Sequence, residues 1–378
     1  MFSSNTNMQS IVSNFHIDNM MRYSKFVPRL YNLCRSLGFE AGKIIPSRAF
    51  CSDENQGFPI ILIAKHFGAF PFNHGRVGGI VAIDRHGPHA SHGKDMVIIQ
   101  ASHVGYDPVT ATFGSYCRLQ TPNNHNSTTC GKVGDVLHWY QDEYNFAQNN
   151  IFLGSNNGVF TITIDNYLLN EKREEGIFLE LKKMIALQDG KYQLLRNLST
   201  SKVFAASDEL HQHLSGICIN DDKIAIGSHL APEMFTFRRQ IQEDDEGYNH
   251  LEGNLLNAMP WIITSSSPLL VAAQVNTQSE FDRAYRSIIK DRHYRNKNLL
   301  FISCLNIDIS PVEGQIFPLT KCVPWAAYIQ KEDGSSRTLE QAEITELLMQ
   351  QSADNPDQID LETAIQQMIE AKEIKITI

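Results

Sequence analysis

Residues 96–101, Met-Val-Ile-Ile-Gln-Ala, form an uncharged and almost unbroken apolar run. A strand that is apolar on both faces has to be covered on both, as it is inside a layered α/β sheet. The rest of the chain must therefore supply neighbouring strands and covering helices. Further strands are predicted at 43–51, 58–64, 78–83, 159–164, 223–226, 269–275 and 299–309 from their apolar, β-branched content. Helices are predicted at 20–37, with a break near Pro28, at 131–148, at 281–290, and through the acidic end from Thr338 onward. Strands alternating with helices predict an α/β fold. The charged stretch within 165–200 reads as helical and suggests a soft boundary, with one region at 1–165 and a second α/β region at 166–378.

Composition narrows the function classes. The net charge of −9, with no Lys/Arg run, excludes a general nucleic-acid binder, which needs cationic patches to neutralise phosphates. No stretch of 18 apolar residues exists, so no membrane partnership is expected. The first 21 residues have neither a basic segment nor an apolar one, unlike a secretory signal, and the expected location is the cytoplasm. Seven cysteines, an odd and scattered set, are expected as free thiols in a reducing compartment.

Chemistry concentrates between residues 48 and 131. Cys51 ends a predicted strand, His103 ends the most apolar one, and Cys130 precedes a predicted helix. Functional groups in open α/β sheets collect beyond the carboxyl ends of strands, and a helix N-terminus favours a thiolate. Two thiolates and an imidazole suit zinc, and three protein ligands leave a fourth position open, as in catalytic sites. The separations are long and no CxxC occurs, so spacing alone is a weak signal for a metal and favours two buried thiols and a hydrogen-bonded histidine. The turn His74-Gly75-Arg76-Val77-Gly78-Gly79 carries glycines that permit close backbone approach. His86, His89 and His92 fall in a Gly/Pro-containing loop, where they are solvated or serve as a proton shuttle.

Taken together, Cys51-Ser52-Asp53-Glu54, the His74–Gly79 turn, the strand leading to His103 and the Cys130-Gly131 pair resemble the limiting-CO2-inducible protein B/C family, over about residues 30 to 150. That family is β-carbonic anhydrase-like. The resemblance implies a β-carbonic anhydrase-like sheet flanked by helices in the first region. It implies Zn2+ held by Cys51, His103 and Cys130, and reversible hydration of CO2 to bicarbonate by hydroxide generated on the zinc. Asp53 then orients the nucleophile, and the 74–79 turn lines the substrate pocket. Phe70, Phe72 and Val77 are the nearest apolar candidates for the CO2 pocket, and a homodimer is implied.

The sequence departs from the pattern in two places. Where β-carbonic anhydrases carry an arginine that pairs with the aspartate, this chain has Asn55, and Ser52 stands where a basic residue is usual. Arg76 and Arg118 are the candidate partners for Asp53. The departures leave room for a zinc-containing but catalytically silent CO2 or bicarbonate sensing or structural module. A zinc hydrolase or deaminase ranks last, because the Cys-x-x-Cys and His-x-Glu that a deaminase uses are missing.

Overall fold

The computed structural model describes residues 14–82, 95–117, 126–128, 130–217, 223–241, 248–312, 315 and 317–373. The elements that build the site are, in chain order, α1 (Tyr23–Ser36), β1 (Ile44–Ala49), α2 (Gly57–Phe67), β2 (Asp95–Asp107), α3 (Gly131–Asn150), α4 (Pro268–Lys290), β3 (Leu299–Ile309) and β4 (Leu319–Gln330). The fold class is mixed α/β, as expected from the alternation. The main sheet runs in the order Met21–Arg22, β4, β3, β2, β1, Phe72–Asn73. Strands β1, β2 and β3 are parallel to one another, and β4 is antiparallel to β3.

The apolar run lies at the centre of this sheet, where period-two alternation divides its side chains between two covered faces. Val97, Ile99 and Ala101 pack with Phe26, Leu30 and Ile63 of α1 and α2, joined by Ile344 and Leu348 of helix Gln341–Gln350. Met96 and Ile98 pack with Ala284 and Ile288 of α4 on the other face. Strands β3 and β4, from beyond residue 166, complete the same sheet that β1 and β2 begin. A five-stranded antiparallel sheet, built from strands between Ile151 and Ala225, lies beside α3 and shares its apolar cluster.

Several expected elements differ, each for a physical reason. Residues 58–64 and 269–275 are helical, inside α2 and α4. Short apolar runs do not distinguish a buried strand from a buried helix, and the prolines in these first turns, Pro59 and Pro268, fit helix starts. Of the expected strand 78–83, residue 83 lies outside the described residues, and 78–82 form a tight turn with only Ile80–Val81 extended. Helix α1 continues through Pro28. The stretch 165–200 holds a single helical turn, Leu181–Met184, among turns and short strands. It includes strand Gly176–Leu179 and a hairpin whose Asp189-Gly190 turn has φ of 52° and 74°. Asp-Gly with both residues at positive φ is a strong hairpin former, and that local geometry outweighed the charged, helix-like composition. No helix among the described residues is long and apolar enough to cross a membrane.

Candidate metal centre

Strand β1 pairs with β2 only as far as Ala49 opposite Gln100. Beyond that point the chain leaves the sheet through Phe50 and Cys51, while β2 continues to Asp107. His103 therefore lies within β2 rather than at its end, on the flank that β1 has vacated. It shares the face of Val97, Ile99 and Ala101 because it is an even number of residues from each. Cys130 closes the triangle from the N-terminus of α3. It adopts a left-handed backbone (φ 54°), and its carbonyl accepts from Val133 N.

The ligand-capable atoms of Cys51, His103 and Cys130 all lie within 4.8 Å of one another, and all three residues are buried. The turn at 77–79 is wrapped tightly around this point. Gly78, at φ 78°, donates its N–H to Cys51 Sγ at 3.1 Å. Gly79 sits so close to β2 that a Cβ there would lie 2.3 Å from the Ala101 carbonyl oxygen. Asn276 of α4 holds the turn by donating to Gly78 O and to Ser102 Oγ, both at 2.8 Å.

Behind His103 lies a group that sequence reading missed. Asp308 of β3, fully buried, accepts from His103 Nδ1 at 2.9 Å, Gln56 Nε2 at 2.8 Å and Thr320 Oγ1 at 3.0 Å. A carboxylate on the far nitrogen of a histidine fixes the ring orientation and tautomer and leaves Nε2 as the ligand atom. His103 Nε2 is buried and has no hydrogen-bond partner. The only sequence signal for Asp308 is a lone acid in the otherwise apolar run Leu-Leu-Phe-Ile-Ser-Cys-Leu-Asn-Ile-Asp-Ile.

The electrostatics fit the same picture. Cys51 is held well below the usual thiol range, chiefly by the hydrogen bond from Cys130 and, against its burial, by His103 and Gly78 N–H. Cys130 is pushed up, by that same hydrogen bond and by burial. Burial opposes charge on His103, but Cys130 beside it and Asp308 behind it outweigh burial and raise it. Asp308 is raised by burial, with His103 pulling the other way. These protons sit where a soft divalent ion would replace them. Zinc needs Zn–S of about 2.3 Å and Zn–N of about 2.0–2.1 Å, and this buried, convergent donor set with an orphaned imidazole nitrogen fits it.

The other predicted residues are placed as follows. Asp53, half-buried, caps a short 3-10 turn by accepting from Asn55 N at 3.2 Å. Arg76 is half-buried in the short strand Gly75–Arg76 and forms no ion pair among the described residues. Val77 packs on the apolar cluster that contains Cys51 and Cys130. His74 is buried, with Nδ1 2.5 Å from Ser47 Oγ, and a Cβ at Gly75 would meet Phe50 O at 2.1 Å. Phe70 and Phe72 lie on the surface, 73% and 50% exposed. Arg118, His86, His89 and His92 lie outside the described residues. The cysteines among the described residues are free thiols.

No family model matches the sequence, and no curated protein matches it. Among solved structures, the chain is similar to PtLCIB4, a homologue of the limiting CO2-inducible protein LCIB. The identity is 10% and the TM-score 0.49, over 88% of this chain and 99% of that one. It is also similar to LCIB itself, at 12% identity and a TM-score of 0.46, over 86% of this chain and 96% of that one. At such scores the likeness is recorded without bearing on the site, which stands on its own residues and distances.

Proposed function

We infer that the chain is a zinc-dependent carbonic anhydrase that interconverts CO2 and bicarbonate. The observation that carries this reading is the buried triangle of Cys51, His103 and Cys130, with the orphaned His103 Nε2 aimed by Asp308. Three protein donors with a fourth position open are the arrangement of a catalytic zinc rather than a structural one. When bound, zinc supplies Lewis acidity and lowers the pKa of water toward neutrality.

The chain's own residues do the rest. Cys51 and Cys130 provide negative charge, and Gly78 N–H moderates the charge on Cys51. Asp308 keeps His103 Nδ1–H as a donor, so Nε2 stays free for the metal. The surroundings suit an apolar substrate, since Cys51 and Cys130 belong to a cluster that includes Ile80, Val133, Leu251 and Val271. Asp53, two residues past a ligand, is the nearest acidic group in the sequence that can accept the proton of the attacking water and orient it. Metal analysis and stopped-flow CO2 hydration on one sample test the reading. About one zinc per chain together with hydration above background is expected, and zinc without hydration refutes the enzyme.

A second reading has one specific observation in its favour. Asn55, at the position where the resembled enzymes carry arginine, is buried, and its Nδ2 has no hydrogen-bond partner. Meanwhile Asp53 Oδ1 is engaged by Asn55 N. A zinc-containing module that binds CO2 or bicarbonate without turning it over is the outcome if hydration is missing. A homodimer and a cytoplasmic location remain part of the proposal, to be tested by light scattering and by fractionation.

A further inference from the structure

A line of buried polar side chains runs from the N-terminal helix to the back of His103. Tyr23 of α1 donates its hydroxyl to Asn306 Oδ1 at 2.8 Å. Asn306 Nδ2 donates to Gln56 Oε1 at 2.7 Å. Gln56 Nε2 in turn donates to Asp308 Oδ2 at 2.8 Å, the same oxygen that receives His103 Nδ1. Tyr23, Gln56, Asn306 and Asp308 are each at most 1% exposed, so water does not substitute for a lost partner. The line has a definite polarity. An amide can face a neighbour with its oxygen or its nitrogen, and the two choices are nearly equal in shape. Reversing the line would set Gln56 Oε1 against Asp308 Oδ2, oxygen against oxygen. The forward direction needs a donor at its far end, and the Tyr23 hydroxyl is that donor.

We propose that Tyr23 is a positioning residue for the metal centre: its hydroxyl satisfies Asn306 Oδ1, anchors the Asn306 and Gln56 amides in the one direction that the Asp308 carboxylate accepts, and through them steadies Asp308 as the acceptor that aims His103. This rests on the reading of Cys51, His103 and Cys130 as zinc ligands, and not on the CO2 reaction. Without the hydroxyl, Asn306 Oδ1 loses its donor in a buried place, and the Asn306 amide is anchored from the Gln56 side alone. Gln56 Nε2 still faces the Asp308 carboxylate, but its partner at Oε1 is held less firmly, and with it one of the three donors that keep Asp308 in register with His103. No contact to the metal is involved, so zinc binding is perturbed at a distance through orientation alone.

The test compares zinc affinity, by competition with a chromophoric chelator on folded protein, for the parent, Tyr23→Phe, Asn306→Asp and Tyr328→Phe. Tyr328 is a buried tyrosine of the same sheet whose hydroxyl, among the described residues, bonds only to Gln330, at 3.3 Å, and it serves as the control for loss of a hydroxyl. Tyr23→Phe should weaken zinc binding about tenfold, the low end of the effect of losing an outer partner of a metal ligand. Asn306→Asp presents only acceptors, sets one of them against Gln56 Oε1, and should cost more. Tyr328→Phe should leave affinity unchanged. Cobalt substituted for zinc should show a shifted visible spectrum in Tyr23→Phe and the parental spectrum in Tyr328→Phe, a difference that general loss of stability does not produce. Zinc affinity of Tyr23→Phe within twofold of the parent, with a superimposable cobalt spectrum, overturns the proposal. A parent protein that takes up no zinc overturns the metal reading, and this inference with it.

Discussion

Replacing Asp308 with asparagine separates the charge behind His103 from the hydrogen bonds it makes. The carboxylate accepts three bonds, two at Oδ2 from His103 and Gln56 and one at Oδ1 from Thr320. An asparagine can keep its oxygen toward His103 and Gln56. The Thr320 hydroxyl can then turn from donor to acceptor for the new amide, so no buried group is left without a partner. What disappears is the ionic character of the acceptor. Hydrogen bonds to charged groups contribute about 1.5–3 kcal/mol and neutral ones about 1 kcal/mol. The difference, about 0.5 to 2 kcal/mol, corresponds to a loss of zinc affinity of roughly 2- to 30-fold. Asp308→Leu instead strands three buried donors, each costing about 1–3 kcal/mol, and should destabilise the whole fold. Chelator competition and thermal unfolding with and without zinc distinguish the two. An asparagine variant that binds zinc as tightly as the parent would show that Asp308 is only a structural acceptor and that the charge behind His103 does nothing for the metal.

Four further outcomes are expected. Cys51→Ser and Cys130→Ser should each lose stoichiometric zinc by elemental analysis while keeping a native far-UV spectrum, and retention of full zinc by either would remove that thiol from the site. Asp53→Ala should keep zinc and lose CO2 hydration by about 10²-fold, as expected for a positioned acid–base group; unchanged stopped-flow rates would exclude it from the reaction. Gly79→Ala should be far worse for stability than Gly78→Ala. Both have positive φ, but the first drives a Cβ into the Ala101 backbone at 2.3 Å and the second meets only the Leu251 side chain at 3.1 Å; equal melting temperatures would contradict the described packing of the turn. Finally, burial lowers His66 and His74 to about 4. Between the usual histidine pKa of about 6.5 and about 4, the unfolded chain binds protons that the folded chain refuses, so stability should fall as pH falls through that window. Denaturant midpoints should show this slope, and His74→Gln should flatten it.

Some features of this protein are local and can be read along the chain. The apolar run in β2, the strand at 299–309 and the helix after Cys130 follow from periodicity and strand length, because each reports its own burial. The soft-donor character of two cysteines and a histidine is likewise local chemistry, although their distant spacing favours a plain buried cluster and only the resemblance points to a metal. Local pattern failed where two states share one pattern. The apolar runs in α2 and α4 bury themselves as helices, and the charged stretch before residue 200 yields to an Asp-Gly turn. Only the tertiary structure decided what stands behind His103. Asp308 is 205 residues away in sequence, and it arrives because β3 lies parallel to β2 in the register that sets Asn306 beside His103. Register across a parallel sheet depends on the packing of both faces at once, with no turn between the strands to set it, so no stretch of sequence encodes the meeting of Tyr23, Gln56, Asn306 and Asp308.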